Sequence, residues 1–550
     1  MTLLDGRFFV ANERLASGEK ITVENPATLE PIGEAFLASS ADCRRAIDAA
    51  KKAFPLWRDF PAAEKRKLFL KAKAVLLGRA TEIARLLAVE KGTPVVESLA
   101  NEVFSIVETL DYYGRNQKKT LAPKKVRAHI PLFAHKKNRY LFQPLGPSLV
   151  ISPWNFPFMI PFLDVISELT VGNTVVLRPS TSTPFTGLAI GEIMTAAGVP
   201  PGVLNIVPCR VPQAEEMLVN TDIQSIAFTG SVGVGKRILE LASRNLTNVV
   251  LELGGKDPMI VFRDADIEQA ALGAVWAAFM NAGQSCASVE RVYVAEEIAE
   301  KFMSRTLKIT RALRVGNPLE SDVDVGPMEN LGQLRIVEEH VQEAADKGAE
   351  ILCGGRRLEN LPGYFFPPSV LAKVDHKMKI MTEETFGPVL PVMTFRDPEE
   401  AIALANDSHY GLTASVWTRN KKTAQWAAER LEAGGVTVND HMTTFSEPKA
   451  IWGGIKQTGM GRTHGPYGLL EIVNIKFVSA DFSGKKKRMW WYPYAGTKLE
   501  IMEKALALMH HPRFKERLGA LVSILRHLRT VIAVLPLKSL LRVTGRLFRR

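Results

Sequence analysis

Stretches with helical periodicity alternate with short β-rich runs along most of this 550-residue chain. Between residues 149 and 251, five short apolar runs predict strands at 149–151, 174–177, 203–207, 225–228 and 248–251. Apolar positions at helical spacing predict helices at about 41–54, 61–92, 97–117, 157–171, 184–198, 233–244, 266–283, 296–312, 329–348, 398–406 and 420–433. Alternation of this kind is typical of parallel sheets with helices on both faces, so the pattern predicts an α/β fold.

Charge is divided unevenly along the chain. Residues 481–550 contain 16 Lys or Arg and 4 Asp or Glu, a net charge of +12, which equals that of the whole chain. Residues 1–480 therefore balance, and we expect no nucleic-acid partner. Four scattered cysteines without CxxC pairs or histidine clusters argue against disulfides and a metal site, and they fit a reducing compartment. With no signal peptide expected at the N-terminus, the sequence predicts a cytoplasmic protein.

Two short motifs supply the groups needed to form and hydrolyse a thioester. Glu252 follows an apolar run in residues 251–256, Leu-Glu-Leu-Gly-Gly-Lys, which predicts a strand that ends at the two glycines. Cys286 follows a Gly-Gln-Ser turn, which we expect to expose the thiol at the start of a helix and thereby lower its pKa. A lone cysteine usually only packs in a core, and a lone glutamate is usually a surface charge.

Six motifs in order make this chain resemble the aldehyde dehydrogenase superfamily over residues 5 to 480. They are Pro-Trp-Asn-Phe-Pro at 153–157, Phe-Thr-Gly-Ser at 228–231 continuing to Gly-Lys at 235–236, the glutamate motif at 251–256, Gly-Gln-Ser-Cys at 283–286, Glu-Glu-Thr-Phe-Gly-Pro-Val at 383–389 and Trp-Gly-Gly-Ile-Lys-Gln-Thr-Gly at 452–459. The resemblance implies a Rossmann-type cofactor domain, a second α/β catalytic domain and a small oligomerisation arm.

The resemblance also implies domain boundaries and an assembly. Residues 1–123 and 147–256 would form the dinucleotide-binding domain, and residues 257–456 would form the catalytic domain that carries Cys286. Residues 124–146 and 466–482 would form the arm, which implies a homodimer or homotetramer.

Three residues are expected to carry the chemistry. Cys286 would attack the aldehyde, and Asn155, with the backbone N–H of Cys286, would stabilise the resulting oxyanion. Glu252 would activate the water that hydrolyses the thioester. Relatives that transfer the acyl group to coenzyme A commonly lack this glutamate, so its presence implies release of a carboxylic acid. Intact Cys286, Glu252 and Asn155 argue against a non-catalytic scaffold on the same fold.

The expected cofactor is NAD or NADP. Gly230, Ser231 and Gly235 lie between a predicted strand and helix, where glycines let the backbone approach a pyrophosphate. The resemblance places Glu384 on the nicotinamide ribose and Phe386 against the nicotinamide ring, with Trp154 and Lys256 in support.

The ribose-binding motif departs from the family. After the strand at 174–177 the family usually has Lys-Pro-Ala-Glu or Lys-Pro-Ser-Glu, and residues 178–181 read Arg-Pro-Ser-Thr. Replacement of the acidic residue by Thr181, beside Arg178 and Ser180, leads us to expect that NADP is tolerated. The alternative is that Arg178 only pairs with a neighbouring acidic residue.

The substrate is expected to be an apolar aldehyde. By family position Phe156, Ile160, Leu163 and Trp452 should face the substrate tunnel, and all four are apolar. Relatives that oxidise succinic semialdehyde often carry an arginine where Leu163 stands. An aliphatic, aromatic or terpenoid aldehyde is therefore favoured over a semialdehyde of soluble metabolism, which stays the alternative.

The segment 483–550 extends beyond the resemblance. A basic cluster at 485–488 precedes aromatic residues. Apolar residues then recur at helical spacing among arginines, in a tail pattern made of Leu518, Leu521, Val522, Leu525, Leu528, Ile532, Leu535, Leu537, Leu540, Leu541, Leu547 and Phe548. Basic amphipathic helices of this kind lie on anionic membranes. We expect peripheral association with the inner face of the membrane, and the alternative is that these helices pack on the protein or a partner.

Overall fold

The computed structural model describes residues 4–494 and 496–545, which contain four β-sheets and the helices that connect their strands. The strands, in chain order, are β1 (Phe8–Val10), β2 (Glu13–Leu15), β3 (Glu19–Glu24), β4 (Pro31–Leu37), β5 (Lys124–Val126), β6 (Lys137–Pro144), β7 (Pro147–Ile151), β8 (Thr174–Arg178), β9 (Leu204–Ile206), β10 (Ser225–Thr229), β11 (Asn248–Glu252), β12 (Asp257–Val261), β13 (Val289–Ala295), β14 (Glu350–Cys353), β15 (Ser369–Ala372), β16 (Val389–Phe395), β17 (Thr413–Trp417), β18 (Gly435–Val438), β19 (Gly459–Met460) and β20 (Val473–Ala480).

The α-helices are numbered in the same way. They are α1 (Ser40–Arg58), α2 (Ala62–Gly78), α3 (Ala80–Glu90), α4 (Val95–Glu97), α5 (Phe104–Thr120), α6 (Met159–Val171), α7 (Pro184–Ala197), α8 (Val211–Leu218), α9 (Val232–Ala242), α10 (Ile267–Phe279), α11 (Glu296–Ala312), α12 (Leu331–Asp346), α13 (Lys379–Thr382), α14 (Pro398–Asn406), α15 (Lys421–Ala428), α16 (Gly465–Glu471), α17 (Gly496–His510), α18 (Phe514–Arg526), α19 (Leu528–Val534) and α20 (Leu537–Gly545).

The first of two compact units comprises residues 1–120 and 144–473. It contains an eight-stranded sheet in the order β19-β11-β10-β7-β8-β9-β1-β2, in which β7 to β11 run parallel. These five strands are the five that the sequence predicts. Their alternation with α6, α7, α8 and α9 confirms the α/β prediction for this stretch. The parallel arrangement brings the carboxyl ends of β10 and β11 to one edge of the sheet.

A second sheet in the same unit has the order β14-β15-β16-β13-β12-β17-β18. The chain passes from the first sheet to the second between Glu252 and Asp257, because β11 belongs to one sheet and β12 to the other. The predicted domain boundary between residues 256 and 257 lies in this segment and stays a prediction.

Local chemistry accounts for the ends of several helices. Ser39 and Asp42 form a capping box at the start of α1, and Asp266 caps α10 through the backbone N–H of Gln269. Gly172 ends α6 with a left-handed backbone (φ 105°), which glycine adopts without steric cost. Every residue of α6 is buried, so this helix packs within the core on all sides.

The structure corrects several predicted helix boundaries. The segment 61–92 forms two helices that meet at Arg79, and 97–117 begins with a π-helical turn over Ser98–Val103. Helix α8 is not among the predicted helices. The predicted helix at 266–283 ends at Phe279 and continues as a short 3₁₀ turn, Met280–Gly283.

The second unit comprises residues 121–143 and 474–550. It therefore joins most of the predicted arm with the predicted tail. A three-stranded sheet in the order β20-β6-β5 is accompanied by helices α17 to α20. None of the described helices is long and apolar enough to cross a bilayer. Leu547 and Phe548, which the tail pattern includes, lie outside the described residues.

The helices of the second unit enclose a small apolar core of their own. Its fully or nearly fully buried side chains are Leu132, Met489, Ile501, Ala505, Leu508, Ala520, Ile524, Val531, Val534, Leu535 and Val543. Of the leucines in the predicted tail pattern, Leu535 is buried in this core, whereas Leu518, Leu525 and Leu541 are exposed. The tail thus packs on itself through one face and presents a second apolar face outward.

Candidate active site

The predicted nucleophile Cys286 lies in a turn between the 3₁₀ segment Met280–Gly283 and strand β13. The predicted position at a helix N-terminus is therefore wrong, because the β-branched and apolar residues from Val289 onward continue as a strand. Asn281, Ala282 and Gly283 all have left-handed backbones, with φ of 58°, 52° and 70°. Three such residues in succession turn the chain sharply just before the cysteine.

Glycines allow three backbone segments to meet around Cys286. A Cβ at Gly255 would lie 2.0 Å from the Cys286 carbonyl oxygen, and one at Gly283 would lie 2.1 Å from the Gly387 carbonyl oxygen. A Cβ at Gly254 would lie 2.6 Å from Oε2 of Glu384. The two glycines that follow Glu252 therefore do more than end a strand, since they bring the cysteine turn and the Glu384 loop together.

Burial dominates the electrostatics of the thiol. Desolvation raises the pKa of Cys286 well above its usual value, and the nearby carboxyl groups of Glu384, Asp257 and Glu252 raise it further. This result is the opposite of the lowered pKa that the sequence predicts.

Asn155, the predicted oxyanion donor, is 3% exposed and is held against the cysteine turn. Its side-chain amide donates to the Gln284 carbonyl oxygen at 3.2 Å. Its own carbonyl oxygen accepts a 2.9 Å hydrogen bond from the side chain of Asn281, which also donates to Gln284 at 2.9 Å. Asn281 thereby ties the loop of Asn155 to the turn that carries Cys286, a connection that the sequence did not reveal.

Glu252, the predicted base, is the last residue of β11 and is buried at 5% exposure. Neither carboxylate oxygen has a hydrogen-bond partner among the described residues. A Cβ at Gly453 would lie 2.6 Å from Oε1, so this glycine makes room for the carboxyl group. Burial raises the pKa of Glu252 well above its usual value, Asp164 raises it further, and Arg462 lowers it. A carboxyl group with a raised pKa is suited to accept a proton near neutral pH.

The loop of Glu384 and Phe386 is held by a buried ion pair. The Lys256 ammonium lies 2.5 Å from the Glu290 carboxylate, which also accepts hydrogen bonds from the backbone N–H groups of Thr385 and Phe386. Phe386 has a left-handed backbone (φ 53°) and stacks edge-to-face with Trp154 at 5.6 Å. Glu384 accepts a hydrogen bond from the Gly255 N–H at 2.9 Å. The residues predicted for the nicotinamide end thus form one connected group.

The predicted pyrophosphate-binding residues lie where β10 passes into α9. Gly230 and Ser231 precede the helix, the Ser231 side chain makes no capping hydrogen bond, and a Cβ at Gly233 would meet nothing within 4 Å. Gly235 packs closely on Leu253, where a Cβ would lie 2.5 Å away. A helix N-terminus without a side-chain cap, with an open glycine in its first turn, fits a dinucleotide phosphate.

Arg178 forms no ion pair with an acidic residue that the structure describes. Its guanidinium donates from Nε and Nη2 to the Cys209 carbonyl oxygen, at 3.2 and 2.9 Å. These two bonds fix the side chain beside Cys209. Ser180 is buried and accepts a hydrogen bond from the Ser182 N–H, while Thr181 is half-buried.

A cavity of about 270 Å³ opens at Cys286. Phe156, Ile160 and Trp452 line it as predicted by family position, but Leu163 is buried outside the lining. The sequence missed other lining side chains, which come from helices and loops far apart in the chain: Phe104, Met159, Trp276, Met280, Met442 and Phe445. Asn155 and Glu252 do not line the cavity. No group of three or more His, Cys, Asp or Glu in the described parts of the chain could hold a metal ion.

The fold and these motifs agree with a family match that covers residues 14–478, described as the aldehyde dehydrogenase family. The chain belongs to the aldehyde dehydrogenase family. It is an oxidoreductase that oxidises an aldehyde with NAD or NADP as cofactor.

Curated aldehyde dehydrogenases resemble this chain over most of its length. It is 34% identical to the NADP-dependent succinate-semialdehyde dehydrogenase of Escherichia coli strain K12, over 86% of this chain and 96% of the relative. It is 37% identical to the lactaldehyde dehydrogenase of the same strain, over 83% and 94%.

Solved structures of aldehyde dehydrogenases show the same fold. The NAD+ complex of an aldehyde dehydrogenase from Bacillus cereus has a TM-score of 0.84 and 32% identity, covering 88% of this chain and 98% of that chain. The succinate-semialdehyde dehydrogenase from Burkholderia pseudomallei also has a TM-score of 0.84 and 32% identity, covering 87% and 98%.

Proposed function

We propose that this aldehyde dehydrogenase converts apolar aldehydes to carboxylic acids through a thioester on Cys286. Cys286 releases its thiol proton to water, its sulfur attacks the carbonyl carbon, and the negative charge that develops on oxygen is stabilised by the Asn155 amide and the Cys286 N–H. Bound NAD(P)+ supplies the acceptor for the hydride that leaves the former aldehyde carbon. Glu252 then takes a proton from the water that attacks the thioester, which releases the acid and regenerates the thiol.

The uncharged lining of the cavity is the observation that supports an apolar substrate. Among its sixteen lining residues, none is Lys, Arg, Asp or Glu, and most are aliphatic, aromatic or methionine side chains. A substrate carboxylate placed there would lose its water without gaining a cationic partner, which is strongly unfavourable. An alkyl or aryl group would instead gain from burial.

A panel of aldehydes tests this specificity. We expect kcat/KM for hexanal or benzaldehyde to exceed that for succinic semialdehyde by at least about 100-fold, because one unpaired buried charge costs several kcal/mol. Phe104 lines the cavity and is 55% exposed, so Phe104→Arg should improve succinic semialdehyde relative to hexanal. Phe104→Met is the matched control without the charge. A wild-type preference for succinic semialdehyde would refute the apolar assignment.

A semialdehyde substrate is the second candidate. It is supported by the relatives, since one of them is named a succinate-semialdehyde dehydrogenase and another a glutarate-semialdehyde dehydrogenase, each at 34% identity. The same panel decides between the two candidates.

We propose further that NADP is accepted as well as NAD. The fixed guanidinium of Arg178 and the absence of a carboxylate at Thr181 support binding of a 2′-phosphate. We also propose that the protein is a homodimer or homotetramer, which light scattering after size exclusion would establish from the mass.

Residues 483–550 are proposed to hold the enzyme on an anionic membrane, at the inner face that the free cysteines favour. Exposed apolar side chains on α18, α19 and α20 beside lysines and arginines support this proposal.

A further inference from the structure

The second unit concentrates positive charge beyond what the tail alone contains. Residues 121–143 and 474–550 hold 23 Lys or Arg and 4 Asp or Glu, a net charge of +19, against +12 for the whole chain. The rest of the chain therefore carries a net charge of −7. Six of the 23 cations come from residues 121–143, in a segment without any acidic residue.

A cleft of about 850 Å³ in this unit gathers many of these charges. We call it the basic cleft. Its cationic lining comes from β5, β6, the residues beside these strands and α20, and consists of Lys125, Arg127, Lys136, Lys137, Arg139, Lys538 and Arg542. No acidic residue lines it, and none of these seven side chains forms a salt bridge with a residue that the structure describes. Seven like charges around one space repel one another, so a bound anion would stabilise the arrangement.

Buried contacts fix α20 beside the arm strands. Nδ1 of His135 forms a 2.7 Å hydrogen bond with the Ser539 hydroxyl. Nε2 of the same ring lies 3.0 Å from the Asp481 carboxylate. Asp481 is also paired with Arg488 at 2.6 Å, and Ser539 is fully buried. These partners hold Asp481 outside the lining of the cleft, so it does not neutralise the cations there.

Apolar side chains border the same cleft. Phe482 lines it and is 79% exposed. On α20, Leu537 and Leu541 are 70% and 63% exposed, one position before Lys538 and Arg542 respectively. Residues four apart lie on one side of a helix, so α20 presents a pair of leucines next to a pair of cations.

We propose that the basic cleft binds the phosphate-bearing headgroup of an anionic phospholipid in a bilayer. The cations match the headgroup charge, and the adjacent leucines and Phe482 enter the acyl boundary. A nucleic acid would match the charge but would leave the exposed leucines without a partner. This proposal rests on the proposed membrane association, and it identifies the basic cleft as the site in the second unit that binds the headgroup.

Vesicle binding by the full-length protein tests the cleft. Vesicles of phosphatidylcholine are compared with vesicles that also contain phosphatidylglycerol, and binding is measured by co-sedimentation at low and high salt. Lys538→Gln with Arg542→Gln removes two cleft charges, and both side chains are exposed, so folding should be unaffected. At about 1 kcal/mol per charge, we expect the apparent Kd for phosphatidylglycerol vesicles to rise about 30-fold.

A matched variant removes the same charge elsewhere in the unit. Lys515→Gln with Arg529→Gln alters two exposed residues outside the cleft, and we expect a change of at most a few-fold. Leu537→Ser with Leu541→Ser should abolish the part of the binding that persists at high salt. Equal losses in the two charge variants would overturn the cleft as a specific site while leaving general membrane association intact. No binding to phosphatidylglycerol vesicles would overturn both proposals.

Soluble competitors separate a lipid headgroup from a free phosphate. Inorganic phosphate and glycerol 3-phosphate should not release the protein from phosphatidylglycerol vesicles at matched ionic strength, because they lack the apolar contribution. Release by either compound, with saturable binding in calorimetry that Lys538→Gln with Arg542→Gln abolishes, would assign the cleft to a soluble phosphate and overturn the lipid proposal. Equal affinity for single-stranded DNA and vesicles would overturn it as well.

Discussion

At the scale of single residues, the pKa of the buried Glu252 carboxyl group controls when the proposed base can act. Burial and Asp164 raise this pKa, and Arg462 lowers it. The base accepts a proton only in its ionised form, so hydrolysis should quicken as the pH rises through this pKa. Asp164 is itself buried, and burial together with Glu168 raises its pKa to about 8.

Removal of the Arg462 charge should shift the acidic limb of the hydrolysis rate to higher pH. Without that cation, the ionised form of Glu252 is less favoured and its pKa rises. The measurement is single-turnover hydrolysis of the acylated enzyme against pH for Arg462→Leu, with Arg462→Lys as the control that keeps the charge. The proposed effect of Arg462 on Glu252 would be contradicted if the acidic limb of Arg462→Leu moved to lower pH, or if it moved equally in both variants.

Asp164→Asn should shift the same limb in the opposite direction. Asp164 raises the pKa of Glu252 by charge repulsion when it is ionised, above its own pKa of about 8, and the asparagine removes that contribution. The measurement is again single-turnover hydrolysis of the acylated enzyme against pH. An unchanged acidic limb would show that Asp164 does not influence the pKa of Glu252.

Thr181→Glu should move cofactor preference toward NAD. A carboxylate beside Arg178 would neutralise that cation and repel a 2′-phosphate. We expect the ratio of kcat/KM for NADP to that for NAD to fall by at least about tenfold, which corresponds to 1.4 kcal/mol. Thr181→Gln is the uncharged control. An unchanged ratio of the two kcat/KM values in Thr181→Glu would show that Thr181 does not lie near the 2′ position of the cofactor.

At the scale of elements, local sequence patterns were sufficient for the sheet but not for the turn that carries Cys286. Strands β7 to β11 were predicted because buried parallel strands are short, apolar and bounded by turns. The left-handed turn at Asn281, Ala282 and Gly283 was not, because it is imposed by distant partners, among them the Asn155 and Gly387 carbonyl oxygens. The raised pKa of Cys286 has the same origin, since burial is a tertiary property.

Only those cavity-lining residues that lie near a recognised motif in the sequence could be predicted. Phe156 and Ile160 were found because they lie on the helical segment that follows Asn155. Met442 and Phe445 come from a loop more than 280 positions away, and nothing local marks them. Leu163 fits the apolar pattern of that segment, yet it is buried away from the cavity.

Gly283→Ala should impair catalysis through the shape of the cysteine turn. Its Cβ would lie 2.1 Å from the Gly387 carbonyl oxygen, and its φ of 70° already disfavours a side chain. We expect kcat to fall by at least about 100-fold, because small displacements of a nucleophile are costly. Gly78→Ala, at a position with nothing within 4 Å, is the control that should retain activity. Wild-type kcat for Gly283→Ala would contradict the required close approach.

At the scale of the whole molecule, the proposed catalytic residues belong to a unit with a negative net charge, and the proposed membrane-binding residues belong to a unit with a positive net charge. The unit that contains Cys286 carries −7 and the other carries +19, a contrast larger than the sequence boundary at residue 480 suggested. The sequence predicted helices in the tail. It did not predict that residues 121–143 and 474–550 would form one unit with its own core, because that core joins Leu132 to residues more than 350 positions later.

Glu252→Gln should separate the two proposed steps of the reaction, acylation at Cys286 and hydrolysis with Glu252 as base. Rapid mixing of this variant with NAD(P)+ and hexanal should produce a burst of NAD(P)H of up to one equivalent per subunit, followed by turnover slowed by at least about 100-fold. Intact-protein mass spectrometry should then find the acyl group on the enzyme, and Cys286→Ala should show neither burst nor adduct. Steady turnover of Glu252→Gln at the wild-type rate, without an accumulated adduct, would contradict the account.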